Sequence, residues 1–504
     1  MQSKDVMMNN MITAFQTYIQ AISGYNPKTD NEHTYRTPLE NFLNVICADI
    51  NKDIMPRQEV KDGQILLGVP DFSFIHKKNL GTVGLLENKK IGYDIHKLLN
   101  DKQIKKYRKR SENIILTNYH DWLLVRDGKI THQVKLCSVL DLQRKAQPDA
   151  TQLMDLKNLL AAFLSIQPKG ISRTKELAEQ LALRCHDLRE FLTRILKAQK
   201  KANRDTRLVN MYSAFQAYID NHLSEEDFAD AFAQTLGYSL FLAKLNVPAG
   251  TTIDLYNVQK YIPFSFGLIR SLSDFLKELE EEEYVIIRHR TEEILGMMNH
   301  LNLSDILNEL AGVKELDLGE DRDPMIARDP FIYFYEHFLK EYDAEKKKDR
   351  GVFYTPPSVV NFMVRTVNQL LKEQFNIADG LTDHHQVQML DFATGTGTFL
   401  HEAFQQMFEE PDIAGNPALQ QGLVHDHILK NFYGFEYLIA PYTIAHMKLA
   451  QLLRDKGFEI KEPLNIFLTN TLEEIKRSRL SKSNQTMMDY RMNKLTGLPN
   501  TMNK

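Results

Sequence analysis

Apolar residues recur at helical spacing near the start of the chain, where Met8, Met11, Ile12, Phe15, Ile19 and Ile22 share one face. A second helix is predicted from Pro38 to Ile50, with proline in its first turn. The pattern then changes to strands. Gln64–Ile75 and Thr82–Lys89 read as β-runs joined by HKKNLG, a segment of turn composition. Lys97–Arg110 reads as a helix, Asn113–Thr117 as a buried strand and Trp122–Arg126 as another, an order that fits a small α/β domain over residues 1–148. Between residues 149 and 328 the spacing stays helical and no clear strand interrupts it. Leu153, Leu156, Leu159, Leu160, Phe163 and Leu164 lie on one face, and helical patterns also occupy Lys175–Leu196, Leu208–Leu223 and Glu225–Leu245. These stripes predict an all-α connector whose apolar faces are core.

Residues 329–475 carry a third pattern. DPFIYFYEHFLKEY is amphipathic, GVFYTPPSVV reads as extended, and VVNFMVRTVNQLLKEQF as a helix. QVQMLDFATGTGTFLHEAFQQMF reads as strand, glycine-rich turn and helix, followed by strand NFYGFEYL, helix APYTIAHMKLAQLLRDKG and strand LNIFLT. Alternating β and α units predict a parallel, doubly wound sheet. Residues 476–504 are polar and aperiodic and read as an irregular tail. The expected class is therefore α/β and multidomain.

Composition changes this picture little. The charged fraction of 25% and hydrophobic fraction of 43% exclude disordered and fibrous classes. Cys47, Cys137 and Cys185 are far apart, so reduced core thiols are expected rather than zinc ligands or disulfides. With no secretory layout at the N-terminus and no membrane-length apolar run, a cytoplasmic protein without a membrane partner is expected. The net charge of −4 argues against coating nucleic acid by charge alone. Locally the balance differs, because Lys102–Arg110 holds six basic residues.

Two groups of residues carry chemistry. Asp71 follows Pro70 in the first β-run, and Glu87 and Lys89 form E-x-K in the second, on one face of the strand. Two carboxylates can hold Mg²⁺, and a neighbouring lysine can orient water or stabilise charge on a phosphate. The alternative is two surface strands with ordinary charges. Gln103 and Tyr107, one helical turn apart within the basic run, complete a QxxxY pattern. Together these residues resemble the QxxxY branch of the PD-(D/E)xK nucleases. The resemblance implies Mg²⁺-dependent cleavage of double-stranded DNA and a further acidic ligand on an earlier helix, for which Glu40 is the candidate.

In Leu390–Leu400 a strand ends at Asp391, and Thr394, Gly395 and Gly397 turn the chain into a helix. The glycines allow close approach of a cofactor, and Glu436 after the next strand can accept from ribose hydroxyls. The dinucleotide pattern G-x-G-x-x-G is not met. The segment resembles the S-adenosylmethionine pocket of an N6-adenine DNA methyltransferase, an incomplete Rossmann-like fold here. By that resemblance Tyr354, Thr355 and Pro356 border the methionine end, Asp391 lies near its amino group, Thr394, Gly395 and Gly397 form the loop floor, and Asn470 contacts the adenine. Phe392 stands where the family often has proline.

From Thr37 to about Glu474 the chain resembles type IIG and single-polypeptide type I restriction-modification enzymes. No GxxxxGK[ST] loop occurs, so the resemblance lies on the type IIG-like side. No [N/D/S]PP[Y/F/W] motif occurs either; the one Pro-Pro pair is Pro356–Pro357. Methylation by this chain alone is therefore not expected. A second chain carrying the rest of the methyltransferase, a truncated remnant, or an inactive DNA- and cofactor-binding subunit all remain open at this point.

Overall fold

The computed structural model describes residues 2–26, 28–59, 69–144, 150–248, 250–263, 270, 273–310, 330–342 and 355–471. The chain divides into two compact units, Met1–Gly170 with Leu295–His300, and Ile171–Ile294 with Leu301–Lys504.

The first unit is a six-stranded sheet with helices on both faces. Helices α1 (Gln2–Ile22) and α2 (Arg36–Ile50) precede strands β1 (Ile54–Gln58), β2 (Phe72–His76) and β3 (Thr82–Asn88). Helix α3 (Lys102–Arg110) leads to β4 (Asn113–Thr117), β5 (Asp121–Arg126) and β6 (Lys129–Lys135), and helices α4 (Val139–Gln143) and α5 (Ala150–Leu164) follow. The strands lie in chain order, antiparallel except for the parallel pair β3–β4. A parallel pair needs a crossover, which α3 supplies. Strand β4 is buried at every position, as its unbroken apolar run requires. Its Ile115 faces a core with Phe15, Phe42, Phe72, Phe74 and Phe163, whereas Ile114 and Leu116 face a smaller core with Ile104 and Tyr107 of α3.

Several boundaries differ from the sequence reading. The expected helix Lys97–Arg110 is a 3-10 segment, Ile95–Asn100, followed by α3, because the Asp101 carboxylate caps Gln103 N–H and starts a new helix. Strand β6 was not expected. Its residues KITHQVK are mostly exposed, and a charged edge strand lacks the apolar alternation that betrays an interior one. Residues 60–68, which include the first five positions of the expected Gln64–Ile75 strand, lie outside the described residues.

In the second unit, helices α6 (Thr174–Lys201), α7 (Arg207–Tyr218) and α8 (Glu225–Leu245) are followed by α9 (Val285–Asn299, whose residues from Leu295 on belong to the first unit), α10 (Leu303–Leu310) and α11 (Pro330–Tyr342). Helix α8 is buried at every position from Phe232 to Lys244, which makes it the central helix. It packs on α6, and Tyr238 and Phe241 meet Phe338 and Phe334 of α11 at ring-centroid distances of 5.0 and 5.5 Å. The remaining part holds α12 (Pro357–Glu373), β7 (Met389–Asp391), α13 (Thr398–Glu409), β8 (Phe432–Glu436), α14 (Ile439–Asp455) and β9 (Ile466–Leu468). The three strands form a parallel sheet in the order β7-β8-β9. The stretch expected to be extended through Val360 turns helical at Pro357, since proline is pre-set for a first helical turn. No described helix is long and apolar enough to cross a membrane.

Candidate functional site

Sheet register builds the first site. Phe72 pairs with Leu86 across β2 and β3, so the next pair outward is Asp71 and Glu87, on one face. Asp71 N–H continues the ladder to Leu86 carbonyl at 3.0 Å, and Lys89 N–H donates to Thr117 carbonyl at 2.8 Å. The backbone therefore fixes where all three side chains start. Asp71 and Glu87 are fully buried, and Lys89 is partly so.

The surroundings of these carboxylates are polar. Lys89 Nζ lies 2.6 Å from Glu87 Oε1 and 3.1 Å from Glu32 Oε1. Asp71 Oδ2 accepts from Asn88 N–H at 2.8 Å, and its Oδ1 is paired with the Arg36 guanidinium. Gln103 Nε2 donates to Glu87 Oε1 at 3.2 Å. The Tyr107 hydroxyl lies 2.9 Å from Glu87 Oε2 and 2.6 Å from Val69 carbonyl, and it also accepts from Gln103. The i, i+4 spacing of Gln103 and Tyr107 thus brings both onto one carboxylate. On the same helix Lys102, Lys105, Lys106, Arg108 and Lys109 are exposed, a basic track beside the acidic cluster.

Burial opposes the charge on Lys89, but the neighbouring carboxylates of Glu87 and Glu32 outweigh it and hold its pKa above the ordinary lysine value. Burial lowers that of Arg36, with Tyr119, Glu32 and Glu87 opposing. Tyr107 is pushed up, first by burial and then by Glu87, which keeps its phenol a proton donor.

Carboxylate oxygens of Glu32, Asp71 and Glu87 lie within 4.8 Å of one another. An all-oxygen set of this kind suits Mg²⁺. Glu32 was missed by the sequence reading. Its backbone carbonyl is anchored by Tyr119 hydroxyl at 2.6 Å and Asn88 Nδ2 at 3.1 Å. Glu40, the expected helix ligand, is not part of this group. Helix α2 begins at Arg36, two residues before Pro38, so Arg36 occupies the first turn at the site and Glu40 falls one turn further along.

The second site lies at the carboxyl ends of β7, β8 and β9, where open α/β sheets bind ligands. Thr394 N–H donates to Phe435 carbonyl at 2.9 Å, and Gly395 N–H donates to Glu436 Oε2 at 2.7 Å. Leu438 N–H holds the other Glu436 oxygen at 2.7 Å. The loop is thereby tied to the end of the neighbouring strand. Gly395 and Gly397 have φ of +56° and +79°. At Gly397 a Cβ would lie 3.2 Å from that of Ala445. A Gly397→Ala chain is expected to lose about 1–2 kcal/mol of stability in a denaturant titration; an unchanged midpoint would show that the loop relaxes at no cost.

Burial raises the pKa of Asp391 against one backbone hydrogen bond from Ala393. Burial also raises that of Glu436, helped by the charge of Asp391 and opposed by backbone donors. Asp391 Oδ2 and Thr396 Oγ1 are buried without a hydrogen-bond partner among the described residues. These unmet groups fit a ligand bearing amino or hydroxyl donors. Next to the loop, a cavity of about 280 Å³ is lined by Pro357, Val360, Asn361 and Thr398 among others. Thr355 is exposed and Pro356 caps α12 at this end; Tyr354 lies outside the described residues. Asn470 follows Thr469, whose N–H bonds Glu436 carbonyl at 2.8 Å, so it too sits at the carboxyl end of the sheet.

Residues 326–494 match the family described as N-6 DNA Methylase, and the chain carries a region of that family. Such a region implies S-adenosylmethionine as cofactor. Among solved structures, the chain is similar to the DrdV–DNA complex (19% identity, TM-score 0.41), covering 96% of this chain and 42% of that one. It is also similar to the ATP-dependent type ISP restriction-modification enzyme LlaBIII bound to DNA (18%, 0.42), covering 68% and 21%. A third is the type IIG restriction endonuclease BpuSI (12%, 0.22), covering 87% and 42%. The chain thus spans well under two thirds of the length of each. No curated protein matches it.

Proposed function

We propose that this chain is the front portion of a restriction-modification enzyme. Residues 1–148, with α5 packed into the same unit, are a Mg²⁺-dependent DNA endonuclease, the helices that follow α5 up to residue 328 a helical connector, and residues 329–475 the S-adenosylmethionine-binding part of an N6-adenine DNA methyltransferase. The observation that carries the nuclease reading is the convergence of Glu32, Asp71 and Glu87 within 4.8 Å, with Lys89 between two of them.

Bound to these carboxylates, Mg²⁺ supplies polarisation of the scissile phosphate and a water of lowered pKa. Glu87 is held at both oxygens by Gln103 and Tyr107, so it is pre-positioned. Lys89 stays charged, can orient the attacking water, and can stabilise the negative charge that builds on phosphorus. The exposed cations of α3 attract the DNA backbone without reading its sequence. In the second region, Asp391 and Glu436 offer acceptors to the amino and ribose groups of the cofactor, and the glycine loop gives its backbone close access.

The expected result is nicking of supercoiled plasmid that requires Mg²⁺ and is lost in Lys89→Ala. No cleavage with any divalent metal, with or without added partner polypeptide, would remove the nuclease assignment. Because these residues hold no [N/D/S]PP[Y/F/W] motif to grip a flipped adenine, the chain is expected to bind S-adenosylmethionine in calorimetry yet transfer no labelled methyl to DNA. Methyl incorporation by the purified chain alone would overturn this reading of the second region.

A further inference from the structure

Arg36 is the first residue of α2 and is 7% exposed. Its Nη2 is ion-paired with Asp71 Oδ1, while its Nε makes no hydrogen bond among the described residues. A guanidinium carries five N–H donors in a planar fork that matches a carboxylate or a phosphate. Burying it with the Nε donor unmet is costly, so the site suits an anionic ligand that completes the set.

Charge identifies that ligand. Glu32, Asp71 and Glu87 bring three formal negative charges, against which stand Arg36 and Lys89, leaving one in excess. A divalent cation would turn that excess into one positive charge. A single phosphodiester would then neutralise the site. Both Asp71 oxygens are engaged beforehand, Oδ2 by Asn88 and Oδ1 by Arg36, so a cation binding through Oδ1 must displace the guanidinium.

Resting on the nuclease reading, we propose that Arg36 is a phosphate-binding residue held in reserve on Asp71. In the ion-free protein it occupies the carboxylate oxygen that a divalent cation needs. When the cation takes that oxygen, the freed fork engages the DNA phosphate. A purely structural Arg36, fastening the start of α2 to β2, would behave differently: its loss would weaken metal binding and cleavage together.

The test uses the full chain and two readouts, Mn²⁺ titration by calorimetry without DNA and nicking of supercoiled plasmid. Arg36→Met is expected to bind Mn²⁺ about tenfold or more tightly than the wild type, because a competing cation has gone. The same variant is expected to cleave about a hundredfold or more slowly, because the phosphate has lost its donor. Arg36→Met that binds Mn²⁺ no tighter, or cleaves at the wild-type rate, overturns the proposal. Should Arg36→Met fail to fold, Arg36→Lys decides, since it keeps the charge and loses the fork. Wild-type-like Mn²⁺ affinity with cleavage reduced about tenfold supports the proposal, and unchanged cleavage overturns it. Failure of the nuclease reading looks different: the wild type itself neither binds Mn²⁺ nor cleaves, and Asp71→Asn changes nothing.

Discussion

Glu87→Gln is expected to leave the first unit folded and to reduce metal-dependent DNA cleavage about a thousandfold, equivalent to about 4 kcal/mol of transition-state stabilisation. The substitution conserves shape and removes one charge from the centre of the site. Glu87 is the residue that Lys89, Gln103 and Tyr107 all contact. Without its charge the three-carboxylate group loses a formal −1, the affinity for a divalent cation falls, and Lys89 retains only Glu32 as a charged partner. The new amide also puts N–H donors where Lys89 and Gln103 already donate, and one unmet donor costs about 1–3 kcal/mol. A lower melting temperature with the same fold is therefore part of the expected outcome. Plasmid nicking in Mg²⁺ measures the rate and circular dichroism the fold. Cleavage within a few-fold of wild type would show that Glu87 does not serve the reaction.

The parts of this site that were legible in the sequence are those fixed by local periodicity. Strand alternation places Glu87 and Lys89 on one face, and a helical turn joins Gln103 to Tyr107. Asp71 joins them through a hairpin register, which a short turn between two β-runs makes readable. Glu32 and Arg36 were not legible, because no local rule brings them to strands about forty or more residues away. Tertiary packing does so, through Tyr119 and Asn88 holding the Glu32 carbonyl. The sequence does contain a hint, an acid and a base four residues apart just ahead of an apolar helix. A helix start set at Pro38 hid it by placing Arg36 outside the helix and Glu40 in the first turn. In the second unit the glycine loop was readable because φ of +56° and +79° needs glycine. The bond from Gly395 N–H to Glu436 was not, because it crosses between strands.

Binding of S-adenosylmethionine is expected to weaken as pH falls from neutral, beginning above the ordinary carboxylate range. The cofactor carries a sulfonium and an ammonium group, so it favours ionised Asp391 and Glu436. Both acids have raised pKa values in the ligand-free fold, Asp391 through burial and Glu436 through burial together with the nearby Asp391 charge. Protons therefore compete with the cofactor at a pH where a solvated carboxylate would already be ionised. The same shifts act oppositely on the empty fold. Between the ordinary and the raised values the folded state binds more protons than the unfolded chain, so these two groups favour folding less as pH rises through that window. Acidification thus supports the empty site while weakening the loaded one, a divergence that general acid unfolding does not produce. Calorimetric titrations from about pH 8 to about pH 5, paired with melting curves without ligand, measure both trends. Asp391→Asn should bind more weakly and lose much of the pH dependence, since it removes one titrating group and the repulsion that raises Glu436. An affinity constant across that range in the wild type would mean that neither carboxylate meets the charged part of the cofactor.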